Sequence, residues 1–101
     1  MRFILKASMP VEHGNASAKQ GFKALPQILD ELKPEAVYFY AEHGRRTALL
    51  ILDLPDASAI PRVVEPFFLA MNAAVELYPA MTPADLEKAG PSIAKAVEKY
   101  G

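Results

Sequence analysis

Residues 35–54 read EAVYFYAEHGRRTALLILDL, two apolar runs joined across His43-Gly44. Val37, Tyr38, Phe39 and Tyr40 are β-branched or aromatic, the types that fit a pleated, half-buried surface. Gly44 accepts the positive φ that a tight hairpin turn demands. A loop of two residues, His43-Gly44, sets Glu42 opposite Arg45, Tyr40 opposite Thr47, Tyr38 opposite Leu49 and Ala36 opposite Ile51. The alternation then puts Tyr38, Tyr40, Thr47, Leu49, Ile51 and Asp53 on one face, with Val37, Phe39, Ala48, Leu50 and Leu52 on the other. A four-residue loop keeps this facing and a three-residue loop reverses it. Both faces are largely apolar, so both need a cover.

Working outward, Arg2 to Met9 alternates, with Phe3, Leu5 and Ala7 against Ile4, Lys6 and Ser8, and reads as a strand stopped by Pro10. Val11 to Asn15 carries turn chemistry, with Asn15 as the expected cap of a helix. Ala16 to Leu32 has an apolar stripe at helical spacing through Phe22, Leu25, Ile28, Leu29 and Leu32. Gly21 and Pro26 interrupt it, which predicts a kink or two short helices. Beyond the hairpin, Asp56 or Ser58 caps a second helical stretch through Ile60, Val63, Val64, Phe67 and Met71, bent at Pro66 and ended at Asn72. Ala73 to Pro79 reads as a fourth strand, with Val75 and Leu77 opposite Glu76 and Tyr78. Thr82-Pro83-Ala84-Asp85 is a capping-box variant opening a short helix. A last helix runs from Pro91 to about Lys99.

This order, β-α-β-β-α-β, is the ferredoxin-like α+β plan, with both helices on one face of an antiparallel sheet. The expectation is one domain over residues 1–101, with 82–101 as a helical C-terminal extension. In such a plan helices cover one face only. The face with Tyr38, Leu49, Ile51 and Tyr78 would be bare, a patch larger than monomers usually leave exposed. A homodimer through that face is the expected remedy.

Composition narrows the classes. A 51% hydrophobic fraction supports a packed core, and a formal net charge of −1 gives no drive toward nucleic acid or an anionic membrane. The absence of cysteine removes disulfides, thiolate nucleophiles and Cys-based metal sites. The opening MRFILKASMP turns polar too soon for a signal peptide, and no apolar run approaches a membrane span. A cytoplasmic protein is therefore expected. No Gly-rich phosphate loop and no metal-spaced histidine pair is present, so neither a cofactor nor a metal is expected.

KPEAVYF (33–39), EPFFLAMNAAVEL (65–77) and MTPADLEKAGP (81–91), together with the element order, resemble a small bacterial family within the dimeric α+β barrel superfamily. The resemblance implies a dimer whose sheets stack into a barrel. That superfamily includes heme-degrading and quinol-forming monooxygenases, muconolactone isomerases and stress-response proteins. Its breadth leaves the reaction open.

Lys6, Tyr38, Tyr40, Thr47, Asp53, Glu76 and Tyr78 are the polar groups expected on the barrel-facing surface. They either line a small-ligand pocket or pair across the dimer interface. For binding, Lys6, Tyr38, Tyr40, Thr47, Asp53 and Tyr78 are the candidates; for proton transfer or cofactor-independent oxygen chemistry, His13, Tyr38, Tyr40 and Glu76. The two histidines are read as loop residues, His13 able to serve as a base and His43 as part of the turn. Arg45-Arg46 at the hairpin tip either steers an anion or is simply solvated. Two functional readings follow. One is a small, partly apolar organic molecule held between sheet and helices. The other is a non-enzymatic dimeric sensor or assembly module with no cavity. An amino-acid-binding regulatory domain is a third.

Overall fold

A computed structural model describes all residues, Met1–Gly101. The hairpin forms as its sequence demands. Strand β2 (Ala36–Glu42) pairs antiparallel with β3 (Arg45–Asp53) in the register Glu42–Arg45, Tyr40–Thr47, Tyr38–Leu49 and Ala36–Ile51. His43 (φ 52°) and Gly44 (φ 74°) are both left-handed, the pattern of a type I′ turn whose twist matches that of the strands. Two further strands, β1 (Arg2–Ser8) and β4 (Ala74–Ala80), complete a sheet in the order β2-β3-β1-β4, with β1 antiparallel to both neighbours. That order is the ferredoxin-like one.

Helices α1 (Val11–Lys19), α2 (Leu25–Leu32) and α3 (Ile60–Met71) accompany the sheet. Their side of it carries the core. Phe3 and Leu5 of β1, Leu50 and Leu52 of β3, and Leu54 meet Ile28, Val63, Phe67 and Met71 from α2 and α3. Leu5, Leu50 and Phe67 are fully enclosed. Each such side chain contributes about 1.5–3 kcal/mol by leaving water.

The two-helix reading of residues 16–32 holds, but the break falls at Gly21 and Phe22, both left-handed, while Pro26 sits harmlessly in the first turn of α2. One expectation is corrected. Asn15 does not cap α1 and residues 11–15 are not a loop: the helix begins at Val11 with Pro10 in the cap position. The first helical hydrogen bond, Gly14 N–H to Pro10 C=O (2.8 Å), is already made there. His13 is therefore a helical residue, half-buried, with its Nε2 enclosed and unpaired. Further on, Asp56 accepts from the Ser58 N–H (2.9 Å) and caps a single 3₁₀ turn, Ala57–Ala59, that leads into α3. Asn72, left-handed, closes α3. The fourth strand lies one residue later than its pattern implied, with Pro79 inside it, tolerable because β4 is an edge strand.

The C-terminal segment stands apart. Thr82 and Asp85 form the reciprocal capping box of α4 (Pro83–Lys88), and α5 (Gly90–Tyr100) follows. No residue of either helix is buried. The radius of gyration, 17.0 Å, exceeds the roughly 13 Å of a compact chain this long. The tail thus projects from the body, with Leu86, Ile93, Val97 and Tyr100 exposed along it.

Candidate functional site

The sheet's rows explain where space opens on the helix side. The row Val37–Leu50–Leu5–Leu77 is filled with large side chains. The next row toward the hairpin turn is Phe39–Ala48–Ala7–Val75, with two alanines at its centre. Above them lies a cavity of about 460 Å³, within the roughly 300–1,000 Å³ range of small-ligand sites. Ala7 and Ala48 floor it, Phe67 and Met71 bound it from α3, and Phe22, Leu25 and Phe39 stand at its sides. Phe39 is 58% exposed, so the cavity opens beside the edge strand β2.

One charged side chain borders this apolar space. Arg46 lies on the helix face because it is two residues from Ala48 in β3. Its Nη1 donates to Asn15 Oδ1 (2.9 Å), and no carboxylate lies within salt-bridge distance of it. Gly14, buried inside α1, packs against it: a Cβ there would meet Arg46 Nη1 at 3.0 Å and Cδ at 3.4 Å. A glycine within a helix costs about 1 kcal/mol relative to alanine. Here that cost coincides with room for a guanidinium.

The expected site residues divide between two places. Tyr40 and Thr47 also border the cavity. Lys6, Glu76 and Tyr78 project from the sheet's other, open face, as does Tyr38, which pairs with Leu49 there. On that face a connected set forms. Lys6 Nζ lies 2.7 Å from Glu42 and 4.0 Å from Glu76; Tyr40 donates to Glu42 (3.0 Å) and Tyr78 donates to Glu76. Glu42, which the sequence does not single out, is the hub: it shares the open face with Lys6, Tyr40 and Glu76, and Lys6 reaches it from a row two positions away. The hydrogen bond from Lys6, reinforced by Tyr40, holds the Glu42 carboxyl below its ordinary range; Glu42 in turn raises Lys6. Partial desolvation and Glu42 push the Tyr40 hydroxyl up, and Glu76 does the same for Tyr78. Thr47, buried, donates its hydroxyl to the Arg45 carbonyl (3.1 Å) and shares a hydrogen bond with the Ser8 hydroxyl (3.3 Å).

Asp53 is elsewhere. It pairs with the N-terminal ammonium (2.8 Å), which lowers its carboxyl, and with Arg2 at 3.6 Å. His13 does not line the cavity, and His43 occupies the turn; neither belongs to a cluster of His, Asp and Glu able to hold a metal ion. Of the cavity residues, Ala7 and Ala48 carry no functional mark in the sequence, and Arg46 reads there only as half of a doubled charge at the hairpin tip. Their signal was present in the alternation: small residues at adjacent inward positions of β1 and β3, and a charge at the next inward position.

With this geometry in view, the chain is similar to part of a formyltetrahydrofolate deformylase from Pseudomonas putida KT2440, with a TM-score of 0.50 and 17% identity. The match is one of fold alone. It covers 79% of this chain and 29% of that one, so the chain spans less than a third of that protein's length. No protein-family model matches the sequence, and no curated protein is significantly similar to it. No helix is long and apolar enough to cross a membrane.

Proposed function

We propose that this chain is a ligand-binding protein of the dimeric α+β barrel kind, each copy holding a small, partly apolar organic molecule between sheet and helices. The observation that carries the reading is the 460 Å³ cavity over Ala7 and Ala48, an open apolar space at a point where the neighbouring row is filled. An open apolar space of this size, beside a row that is filled, supports a binding role. The test is a thermal-shift screen against aromatic acids, quinones and heme. A rise in melting temperature with one class is expected. A flat response across the panel refutes the reading.

The dimer rests on two further observations. The open face exposes Tyr38 and Tyr78 around half-buried Ile4, Leu49 and Ile51. The projecting tail shows Ile93, Val97 and Tyr100 on a helix of 11 residues, a length marginal in water without a surface to lie on. A second copy supplies both covers at once, in the isologous manner of twofold assemblies. The open-face set of Lys6, Glu42 and Glu76 with its two tyrosines already satisfies itself internally, which supports an interface role for these groups over a catalytic one.

A further inference from the structure

We infer that the cavity takes an apolar molecule ending in a carboxylate or similar anion, its apolar part over Ala7 and Ala48 and its charge at Arg46; this rests on the cavity reading above. Four features meet at that arginine. It is the one charged residue bordering a space otherwise walled by alanine, methionine, leucine, aromatic rings and Thr47. The only protein partner of its guanidinium is a neutral amide oxygen, that of Asn15, which leaves most of its five donors to solvent or a ligand. No acidic side chain of the molecule neutralises it, whereas Arg2 and Lys6 each have carboxylate partners. And it is held in place, by Asn15 on one side and by the missing Cβ of Gly14 on the other. A positioned guanidinium with free donors beside an apolar cavity is complementary to an anion with an apolar body, because the fork geometry matches a carboxylate's two oxygens. Phe22, Phe39, Tyr40 and Phe67 around the space favour a flat, aromatic body over a branched one.

The experiment uses the full-length protein and three probes sharing one ring system: 2-naphthoate, 2-naphthylmethanol and 2-naphthylmethylammonium, titrated by calorimetry. Naphthoate is expected to bind about tenfold or more tightly than the alcohol, and the ammonium to bind most weakly. Arg46→Gln is expected to bring naphthoate down to the alcohol while leaving the alcohol unchanged, and Ala48→Leu to weaken all three. Equal affinities in the unaltered protein, or a preference that survives Arg46→Gln, overturn the anion inference while leaving the cavity reading intact. Failure of all three probes to bind overturns both. An affinity that falls as protein concentration rises puts a second copy of the chain in the cavity and likewise overturns the inference.

Discussion

Replacing Ala48 by leucine asks whether the space above the sheet is real. Ala48 is nearly enclosed, stands between Phe39 and Ala7 in its row, and floors the cavity. Leucine adds three carbons, each stabilising by about 0.8 kcal/mol when buried, or about 2.4 kcal/mol in all. Ordering the longer side chain costs about 0.5–1 kcal/mol. The open mouth beside Phe39 leaves part of the added surface wet, so a net gain of about 1 kcal/mol is expected. For a domain of this size that raises the melting temperature by about 4–8 °C, measurable by scanning calorimetry. The same variant should lose ligand-induced shifts in the screen. If the space were in truth closed, the added carbons would overpack it and cost about 1–3 kcal/mol. A fall in melting temperature therefore refutes the cavity, since the two cases differ in sign.

Three further outcomes are expected. Sedimentation should find a dimer at micromolar concentration; Leu49→Lys on the open face and Val97→Glu on the tail should each weaken it at least tenfold without changing far-ultraviolet circular dichroism, and a monomeric unaltered protein contradicts the assembly. Glu42 has a folded-state pKa depressed below its ordinary 4.5, so its stabilising contribution is present above that value and lost as pH falls through the lower one. Lys6, raised above 10.5, contributes below that value and loses its contribution as pH rises through the folded one. Urea unfolding of Glu42→Gln should accordingly show a shallower loss of stability between neutral pH and about pH 3 than the unaltered protein; identical acid limbs would contradict the Lys6–Glu42–Tyr40 arrangement. Gly14→Ala should gain about 0.5–1 kcal/mol in helix stability as the flexible end of Arg46 gives way, while the preference for naphthoate over the alcohol declines; a variant that keeps the full preference shows that Gly14 does not position Arg46.

The hairpin is legible because strand alternation has period two and Gly44 suits a tight turn; the two-residue loop, one of the lengths the sequence allows, is the one that forms. Once its facing was known, so was that of β1 and β4, whose alternation is equally clean. The start of α1 was not. Gly14 and Asn15 carry the marks of a turn, but Gly14 serves close packing against Arg46 and Asn15 serves as a hydrogen-bond acceptor for it. Both are tertiary contacts, invisible to a local reading. Pro10 was the better marker of that boundary. The sequence implies a cavity between sheet and helices, but the residues that stand out in it are the polar ones of the open face, because charges and tyrosines announce chemistry and alanines do not. Tyr40 and Thr47 border both regions. In the sequence Arg46 reads as one half of a charged pair at the tip, although its parity with Ala48 assigns it to the inner side.

The central position of β1 bears on how the chain comes to fold. Its partners are β3, from the middle of the sequence, and β4, from residues 74–80. Only the β2–β3 hairpin closes locally, on a microsecond scale. Pairing Leu5 with Leu77 requires closing nearly the whole domain into one loop, an entropic cost met only after most of the chain exists. During synthesis, which proceeds from the N-terminal side, β1 is made before β3 and β4 and must keep one edge of backbone N–H and C=O groups unpaired until β4 emerges. Arg2 and Lys6, the two charges of that strand, are the kind of residues that discourage pairing with stray strands while the sheet waits for its last member.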